Sequence, residues 1–495
     1  MISGGATPES VGTPDRSDCL DLTNGLVAVV KRDCPTCVLV APVLTQLADA
    51  TPLTIVSQDD PAFPDGAESV VDDSELDWSW RLGIETVPTL IAFEAGRESA
   101  RTVGWERSQW EALSGVTGLG TELPDYRPGC GSRTLDPGIA EALEVRHRGG
   151  IMKSRRVPLA TLEDEHEAMW DRGWTDGLPV VPPTEWRVLS MLDGTTRAPG
   201  DVVAVVPPNL VPVTVEKVAV NAVMAGCRPE YLPVVMAALE AACTDEFNLH
   251  GVLATTWSVG PVIVVNGPIA RAIGMNSGIN VLGPGNRANS TIGRAVQLVV
   301  RNVGGGRPGG VDRAALGNPG KVGLCFAEDE LASPWESMAV ERGIEPGRSA
   351  VTVFAGGGLH SIADQSSRTP ESLARSFALT LRGVGHPKLP LGFDALLIVS
   401  PDHGRVFREA GWPKARLRDE LEQLLLLPGS ELVVGAGGIE AGIPPEAADR
   451  VFPKFRDGGL LIAYAGGGAG LFSGVIEGWA GGRIGSVAVT REVSQ

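Results

Sequence analysis

The cysteine pair in Cys34-Pro35-Thr36-Cys37 constrains the fold most, because the residues on either side define its setting. The apolar, β-branched stretch 26–30 before the pair predicts a buried strand, and the stretch 38–47 after it has apolar residues at helical spacing. Cys34 would then lie at a helix N-terminus, where unpaired backbone N–H groups and the helix dipole stabilise a thiolate. This is the setting of a dithiol redox site.

Residues 20–115 resemble thioredoxin in three features: the CxxC turn, Pro42 inside the following helix, and the segment Val87-Pro88-Thr89. In that family the proline is cis and packs against the disulfide, so the resemblance implies this role for Pro88. The chain departs from the family at Asp33, where thioredoxins usually carry tryptophan, and at Ala28, near the position of their buried aspartate. These departures favour a dedicated partner over general substrate reduction.

Two other interpretations of Cys34 and Cys37 are a structural disulfide and one half of a zinc site. No second CxxC follows in the sequence to complete a four-cysteine zinc site. The redox interpretation is therefore the favoured one.

Charge and cysteine content bear on partners and compartment. The formal net charge of −18 argues against nucleic acid and anionic membranes as partners, and no apolar run is long enough to span a membrane. Residues 1–18 lack the features of a signal peptide and are expected to form a disordered arm. Seven cysteines at wide spacings do not form a secreted disulfide framework, so a cytoplasmic location is expected.

A second cysteine motif follows a glycine- and proline-rich stretch that predicts a linker. Cys130 lies in Gly129-Cys130-Gly131-Ser132-Arg133, where it would be mobile and accessible for thiol exchange. This motif, with Leu135-Asp136-Pro137, is similar to the Sec-Gly-Ser-Cys and Leu-Asp-Pro pattern of the UGSC family of selenoproteins. The resemblance places Cys130 at the selenocysteine and Arg133 at the motif's last cysteine. The resemblance implies that Cys130 attacks the substrate and that the Cys34/Cys37 pair resolves the resulting intermediate. The alternative is that Cys130 is a loop cysteine with no chemical role.

The remaining sequence predicts a large α/β domain. Apolar runs followed by glycine-rich loops predict strands at 261–265, 351–355, 395–399, 431–434 and 460–465. Continuous apolar strands favour a mainly parallel sheet covered on both faces, with a ligand crevice formed by the loops at the carboxyl ends of the strands. The repeated strand-Gly-Gly units weakly suggest a duplication.

The predicted fold class is therefore α/β, with a thioredoxin-like domain and a larger α/β region that has a mainly parallel sheet and glycine-rich loops. The predicted domains are the arm at 1–18, the thioredoxin-like domain at 19–115, a linker and helical connector at 116–175, and the substrate domain at 176–495. The last would split into lobes at about 176–345 and 346–495. Segments 220–231, 282–289 and 411–418 resemble a widespread bacterial family that occurs beside thioredoxin-like and UGSC segments. That resemblance implies membership and no particular reaction.

Cys227 is the first choice for a catalytic thiol in the large domain. It lies at a predicted corner between two helices, and the neighbouring guanidinium of Arg228 would favour its thiolate. The alternative is a buried, inert thiol, which is preferred for Cys243. Cys325 is expected to face the core from a strand.

A segment dense in Asn, Gly, Ser and Arg predicts a substrate-binding loop rather than a plain connector. Its backbone amides and side-chain donors would hold a carboxylate, a phosphate or an oxyanion. The donors are Asn276, Asn286, Arg287 and Asn289. Asn289 or Ser290 would cap the helix that follows.

Two histidines follow predicted strand ends. Asp364 would share a face with His360 if the segment were helical, and Asp402 precedes His403. These four side chains would form a metal site or an acid/base pair, but the simpler interpretation, polar residues that cap the next helix, is favoured. The sequence requires no cofactor: the dinucleotide fingerprint, the P-loop and the serine-nucleophile elbow are absent from it.

These features predict a thiol-dependent enzyme. A thioredoxin-like module would recycle Cys130 or Cys227 after that cysteine cleaves or reduces a carbon–heteroatom or heteroatom–heteroatom bond in a small molecule. An external thiol reductant or reductase would reset the CxxC pair, and a homo-oligomer is compatible with the sequence. The alternatives are a metal- or acid/base-assisted lyase or hydrolase with the module as a docking domain, and a redox-gated scaffold.

Overall fold

The computed structural model describes residues 23–160 and 163–494, so the predicted arm and Cys19 lie outside the described residues. The chain divides into two compact units after Gly150. This division falls inside the segment 116–175 that the sequence analysis assigns to a linker and connector, because residues 116–150 pack with the first unit.

The first unit contains a mixed sheet flanked by helices. Its strands are β1 (Gly25–Val30), β2 (Leu53–Ser57), β3 (Val70–Asp72), β4 (Thr86–Val87), β5 (Thr89–Glu94), β6 (Arg97–Val103), β7 (Trp105–Glu106), β8 (Tyr126–Arg127) and β9 (Cys130–Gly131). Its helices are α1 (Pro35–Ala50), α2 (Asp77–Arg81), α3 (Arg107–Ser114) and α4 (Ile139–Arg148). Five of the strands form one sheet in the order β3-β2-β1-β5-β6.

Strand β1 is the buried centre of this sheet. It pairs in parallel with β2 and antiparallel with β5. Because both faces are covered, Val27 to Val30 are all buried, which explains the uninterrupted apolar run. Helix α1 follows directly and buries Val40, Val43, Leu44 and Leu47 on one face. The strand-turn-helix setting predicted for the CxxC pair is therefore present.

The second unit has eleven strands and twelve α-helices among its described residues. The strands are β10 (Val202–Val206), β11 (Val211–Thr214), β12 (Gly260–Asn266), β13 (Leu324–Ala327), β14 (Ala350–Ala363), β15 (Phe393–Val399), β16 (Leu426–Pro428), β17 (Val451–Pro453), β18 (Leu460–Tyr464), β19 (Phe472–Ala480) and β20 (Val489–Glu492). The helices are α5 (Glu165–Asp171), α6 (Glu185–Leu192), α7 (Val215–Ala225), α8 (Leu232–Ala242), α9 (Leu249–Ala254), α10 (Pro268–Ala272), α11 (Arg287–Asn302), α12 (Met338–Glu341), α13 (Pro370–Arg382), α14 (Pro401–Glu409), α15 (Lys414–Leu424) and α16 (Gly429–Leu432).

The main sheet of the second unit is mixed, so the prediction of a mainly parallel sheet is wrong. Its order is β13-β12-β14-β19-β15-β18, with β20 also on β14. Only β12–β13 and β15–β18 pair in parallel within this sheet; the other pairs are antiparallel. The uninterrupted apolar runs arise because both faces are buried: Ile263 and Val265 enter one apolar cluster, whereas Val262 and Val264 enter another. Burial on both faces does not require parallel strands.

One predicted strand, at 431–434, is also wrong. The segment Glu431-Leu432-Val433-Val434, with its three apolar residues, begins in helix α16 and continues into a turn around Gly435. A short apolar run does not by itself distinguish a strand from a buried helical turn. The strands predicted at the other four positions are confirmed.

The main sheet has the same pattern of strand pairing from each edge to its centre. In each half the first strand (β12 or β15) pairs in parallel with the second (β13 or β18) and antiparallel with the third (β14 or β19). The two third strands pair with each other at the centre. This repetition agrees with the duplication suggested by the strand-Gly-Gly units.

The sheet also curls until its outer strands meet. Each of the six strands contributes to one apolar cluster on the inner face, which contains Val262, Phe326, Phe354, Leu396, Leu461 and Ile476. At the ends of β13 and β18, the Asp329 amide donates to the Tyr464 carbonyl at 2.8 Å. The carboxyl ends of β12, β13, β15 and β18 therefore lie along one rim.

Within residues 23–160 and 163–494, the helices are too short or too polar to cross a membrane.

Candidate functional site

The turn between β1 and α1 places Cys34 at the first position before the helix. Its sulfur accepts a hydrogen bond from the Cys37 amide at 3.3 Å, and the protonated thiol donates to the Val87 carbonyl at 3.6 Å. Pro35 occupies the first helical turn, where a missing N–H costs nothing. The two cysteines are 1% and 0% exposed. The local sequence thus forms a capped helix start with a sulfur as the capping atom.

Cys130 lies beside this turn. Strand β9 pairs antiparallel with β4, which places Cys130 opposite Val87 and Gly131 opposite Thr86. The peptide bond between Val87 and Pro88 is cis, the geometry that the resemblance implies for Pro88. Because Val87 contacts Cys34 and pairs with Cys130, the first unit brings three cysteines into one site.

The segment that carries Cys130 is fixed to the rest of the first unit. The Thr36 hydroxyl donates to the Pro128 carbonyl at 2.7 Å, and the Ser132 amide donates to the Glu85 carbonyl at 3.0 Å. The Gln58 side chain donates to the Ser132 hydroxyl at 2.7 Å. The expectation of a mobile cysteine in a linker is therefore wrong, because these anchors hold residues on both sides of it.

Two further contacts extend this anchoring. The Thr134 hydroxyl donates to the Ile84 carbonyl at 2.6 Å, and Arg133 donates to the Gln58 carbonyl at 2.7 Å. Gly129 lies so close to β4 that a Cβ atom at this position would be 2.4 Å from Thr86 Cγ2. We call residues 128–134 the strap. Arg133, which the resemblance to the UGSC family places at that motif's last cysteine, is one of the anchors of the strap.

The three thiols have different acidities. Hydrogen bonds from the thiols of Cys37 and then Cys130, together with backbone N–H groups, lower the pKa of Cys34 to about 5, although burial opposes this. Burial raises the pKa of Cys37, and its hydrogen bond to Cys34 raises it further. Burial and the hydrogen bond to Cys34 also raise the pKa of Cys130. The arrangement holds one thiolate, on Cys34, and two protonated neighbours.

Cys227 in the second unit lacks this activation. It lies against a cavity of about 180 Å³, but the side chain is buried and its thiol donates to the Thr291 carbonyl at 3.4 Å. Burial raises the pKa of Cys227 to about 12, and the charges of Arg287 and Arg294 only partly offset this. The thiolate that the neighbouring Arg228 was expected to favour is therefore opposed by the stronger effect of burial.

The other two cysteines of this unit are inert in the same way. Burial raises the pKa of Cys243 to about 12 and also raises that of Cys325. Cys325 faces the core from β13, as predicted.

The side chains of the predicted substrate-binding loop form hydrogen bonds with backbone groups, mostly within the loop itself. Asn286, not Asn289 or Ser290, caps α11, with its oxygen accepting from the Asn289 amide at 3.1 Å. Asn289 bonds the Asn276 backbone through both ends of its amide group. Arg287 donates to the carbonyls of Gly226 and Cys227. The donors expected to bind an anion are thus already engaged, and substrate binding by this loop stays a prediction.

A larger cavity also borders this loop. It has a volume of about 430 Å³ and is lined mainly by glycine, proline and apolar side chains. Asn289 and Ser290 contribute from α11, Cys325 from β13 and Leu359 from β14. Its lining would suit an apolar ligand better than an anion.

The two histidines of the predicted metal or acid/base site are in different environments. His360 is on strand β14, so the helix assumed for His360 and Asp364 is wrong; its ring is half-exposed and 3.6 Å from the Glu477 carboxylate. His403 is buried, with one ring nitrogen 2.7 Å from the Ser473 hydroxyl and the other 3.1 Å from the Asp364 carbonyl. His403 therefore fastens α14 to β19 and to the segment after β14.

The two acidic residues are also engaged locally. Asp364 accepts bonds from the backbone and side chain of Ser367 and from the Ser376 hydroxyl, which hold the pKa of its carboxyl below its usual range although burial opposes this. Asp402 pairs with Arg405 on the first turn of α14. Among residues 23–160 and 163–494, no group of three or more His, Cys, Asp or Glu side chains is arranged to hold a metal ion.

The sequence analysis missed a buried charge network at the rim. The Glu328 carboxylate, just after β13, accepts from the Asn266 side chain and from the Met338 and Tyr464 amides. Burial raises the pKa of Glu328, and Lys414 lies 4.0 Å away. The only sequence signal was that an acidic residue directly follows an apolar strand. This network ties the two halves of the sheet together.

Comparison of the chain with family models, with curated proteins and with solved structures finds no match. Inferences about function therefore depend on the geometry of the site.

Proposed function

We propose that this protein is a thiol-dependent redox enzyme whose first unit is a thioredoxin-like module. Cys130 reacts with the substrate, and Cys34 and Cys37 then return Cys130 to its thiol form. The observation that carries the proposal is that Cys34 and Cys130 meet at Val87: the Cys34 thiol donates to the Val87 carbonyl at 3.6 Å, and Cys130 pairs with Val87 across β9 and β4. The second unit is proposed to be the substrate domain, and a cytoplasmic location belongs to the same proposal.

The difference in accessibility supports this division of labour. Of the three cysteines at this site, Cys34 carries the thiolate but is almost completely buried, whereas Cys130 is partly exposed. The Cys34 thiolate, beside Cys130 at Val87, would act as the base that takes the proton of Cys130 as Cys130 attacks. Cys130 is then the sulfur that a substrate reaches first.

The reaction can be written for a disulfide substrate, RSSR. The Cys130 thiolate attacks one sulfur, forms a mixed disulfide and releases RS⁻. The first RS⁻ takes the proton from Cys34, whose thiolate attacks the Cys130 sulfur and releases the second RS⁻. The second RS⁻ takes the proton from Cys37, which then attacks Cys34 and releases Cys130 as a thiolate. Two electrons pass from Cys34 and Cys37 to the substrate, and an external dithiol or thiol reductase restores the pair.

The experiment that tests the proposal is to trap the intermediate. A Cys37→Ser variant, fully reduced and then mixed with bis(2-hydroxyethyl) disulfide, should accumulate a Cys34–Cys130 disulfide. Peptide mass spectrometry under non-reducing conditions identifies the linkage. Adding Cys130→Ser should abolish it, whereas Cys243→Ser, which changes a thiol of the other unit, should leave it unchanged.

Turnover gives an independent measurement. Cys34→Ser should stop multiple turnover in the presence of an external reductant but spare a single turnover at Cys130. Full multiple turnover by this variant with a thiol reductase as the electron source would contradict the proposal. Absence of the Cys34–Cys130 linkage in folded Cys37→Ser protein would contradict it as well.

A further inference from the structure

We infer that the strap restricts this site to disulfides and related sulfur electrophiles of low molecular weight and excludes protein disulfides. The inference rests on the proposed function and adds the class of substrate. It starts from what the strap occupies. An extended polypeptide commonly binds by adding a strand to an exposed sheet edge, where main-chain hydrogen bonds supply affinity.

The edge beside Cys34 is already paired. Cys130 and Gly131 pair with Val87 and Thr86, and the Ser132 amide donates to the Glu85 carbonyl just before β4. The chain itself therefore takes the backbone positions that an incoming polypeptide would need. A protein substrate would have to displace the strap before it reached Cys34.

Displacing the strap is costly. Its side-chain anchors include the bonds from Thr36 to Pro128, from Gln58 to Ser132 and from Thr134 to Ile84. The side chains that form these bonds, those of Thr36, Gln58, Ser132 and Thr134, are all buried. Each of these hydrogen bonds contributes to stability, and exposing buried polar partners adds to the cost of breaking them. The strap is thus held in place under native conditions.

The strap also limits access to the sulfurs. Cys34 and Cys37 are buried beneath it, and Cys130 is the partly exposed thiol of the three. A small disulfide needs only to bring one sulfur to Cys130. A disulfide within a folded protein must also bring its flanking chain to a site where the neighbouring backbone is occupied.

A comparison of two disulfides tests this inference. The reduced full-length protein is mixed with bis(2-hydroxyethyl) disulfide or with insulin, and each rate is divided by the rate of dithiothreitol with the same compound. The normalised rate with the small disulfide should exceed that with insulin at least tenfold. A strap variant that combines Thr36→Val with Ser132→Ala should raise the insulin rate at least tenfold, whereas Ser74→Ala, on an exposed loop of the same unit, should not.

The outcomes separate the two proposals. Equal normalised rates in the wild type, or a strap variant that remains folded and gains no insulin reduction, would overturn the size restriction and leave the redox function standing. If the wild type and Cys130→Ser react with the small disulfide at the same rate, the proposed role of Cys130 fails instead.

Discussion

Cys34 and Cys130 meet at Val87: the Cys34 thiol donates to the Val87 carbonyl at 3.6 Å, and Cys130 pairs with Val87 where β9 lies against β4. Two thiols from distant parts of the sequence thus form one site with Cys37. The pairing fixes the partner of the CxxC motif within the same unit. An exchange reaction between Cys130 and Cys34 therefore requires no encounter with a second molecule.

The first prediction concerns the ionisation of Cys34. The ultraviolet absorbance of its thiolate should titrate with a midpoint near pH 5, obtained as the difference between the wild type and Cys34→Ser. Cys37→Ala should raise this midpoint, because the bond from the Cys37 thiol is the largest factor that lowers the pKa. Cys243→Ala serves as the control. A midpoint near that of an ordinary thiol in the wild type would contradict the arrangement.

The same ionisation links stability to pH. The pKa of Cys34 falls from 9.0 to about 5 on folding, so between these values the unfolded state binds more protons than the folded state. The stabilisation is complete above the unfolded pKa and is lost as the pH falls through the folded pKa. Urea unfolding at pH 8 and pH 5 should therefore show a smaller stability difference between wild type and Cys34→Ser at the lower pH.

A second prediction uses two neighbouring glycines. Gly129→Ala should lower the free energy of unfolding by about 2 kcal/mol, because the added methyl group meets Thr86 and the Val87 carbonyl at 2.4 and 2.8 Å. Gly131→Ala is the matched control, since a Cβ atom there has no neighbour within 4 Å. Denaturant unfolding measures both. Equal effects of the two changes would show that the strap does not lie against β4.

A third prediction concerns the second unit. Arg294 bonds both carboxylate oxygens of Asp176 at 2.8 Å, and the two side chains are 13% and 14% exposed. Asp176→Ala should cost about 3 kcal/mol, because it leaves a mostly buried guanidinium without its partner. Glu431→Ala, which breaks an exposed pair with Arg382, should cost about 0.5 kcal/mol or less. Thermal unfolding with both variants checks this difference.

The local fold around Cys34 could be predicted because short-range signals agree there. The apolar run before Cys34, the proline after it and the helical spacing beyond Cys37 all indicate the same strand-turn-helix unit. The position of the strap could not be predicted in this way. Its anchors are single hydroxyl and amide side chains such as Thr36 and Gln58, which have no periodic pattern and join residues far apart in sequence.

In the second unit, local sequence signals located several strands but did not predict how those strands and the loop side chains are paired. The apolar runs correctly located β12, β14, β15 and β18 but missed the central strand β19. Strand direction depends on which partners the curled sheet brings together. The asparagines of the loop before α11 were expected to face a ligand because of their density. In the structure Asn286 and Asn289 satisfy the loop's own backbone, a role that composition alone does not distinguish from ligand binding.

The palindromic order of the large sheet has a consequence for synthesis on the ribosome. Strand β14 lies at the centre, yet its neighbours β19 and β20 are translated well after it. Until they emerge, the first half presents an unpaired apolar edge that other nascent chains could join. Chaperone dependence should therefore be greatest between the synthesis of β14 and that of β19, and truncations that remove β19 and β20 should harm solubility more than their length suggests.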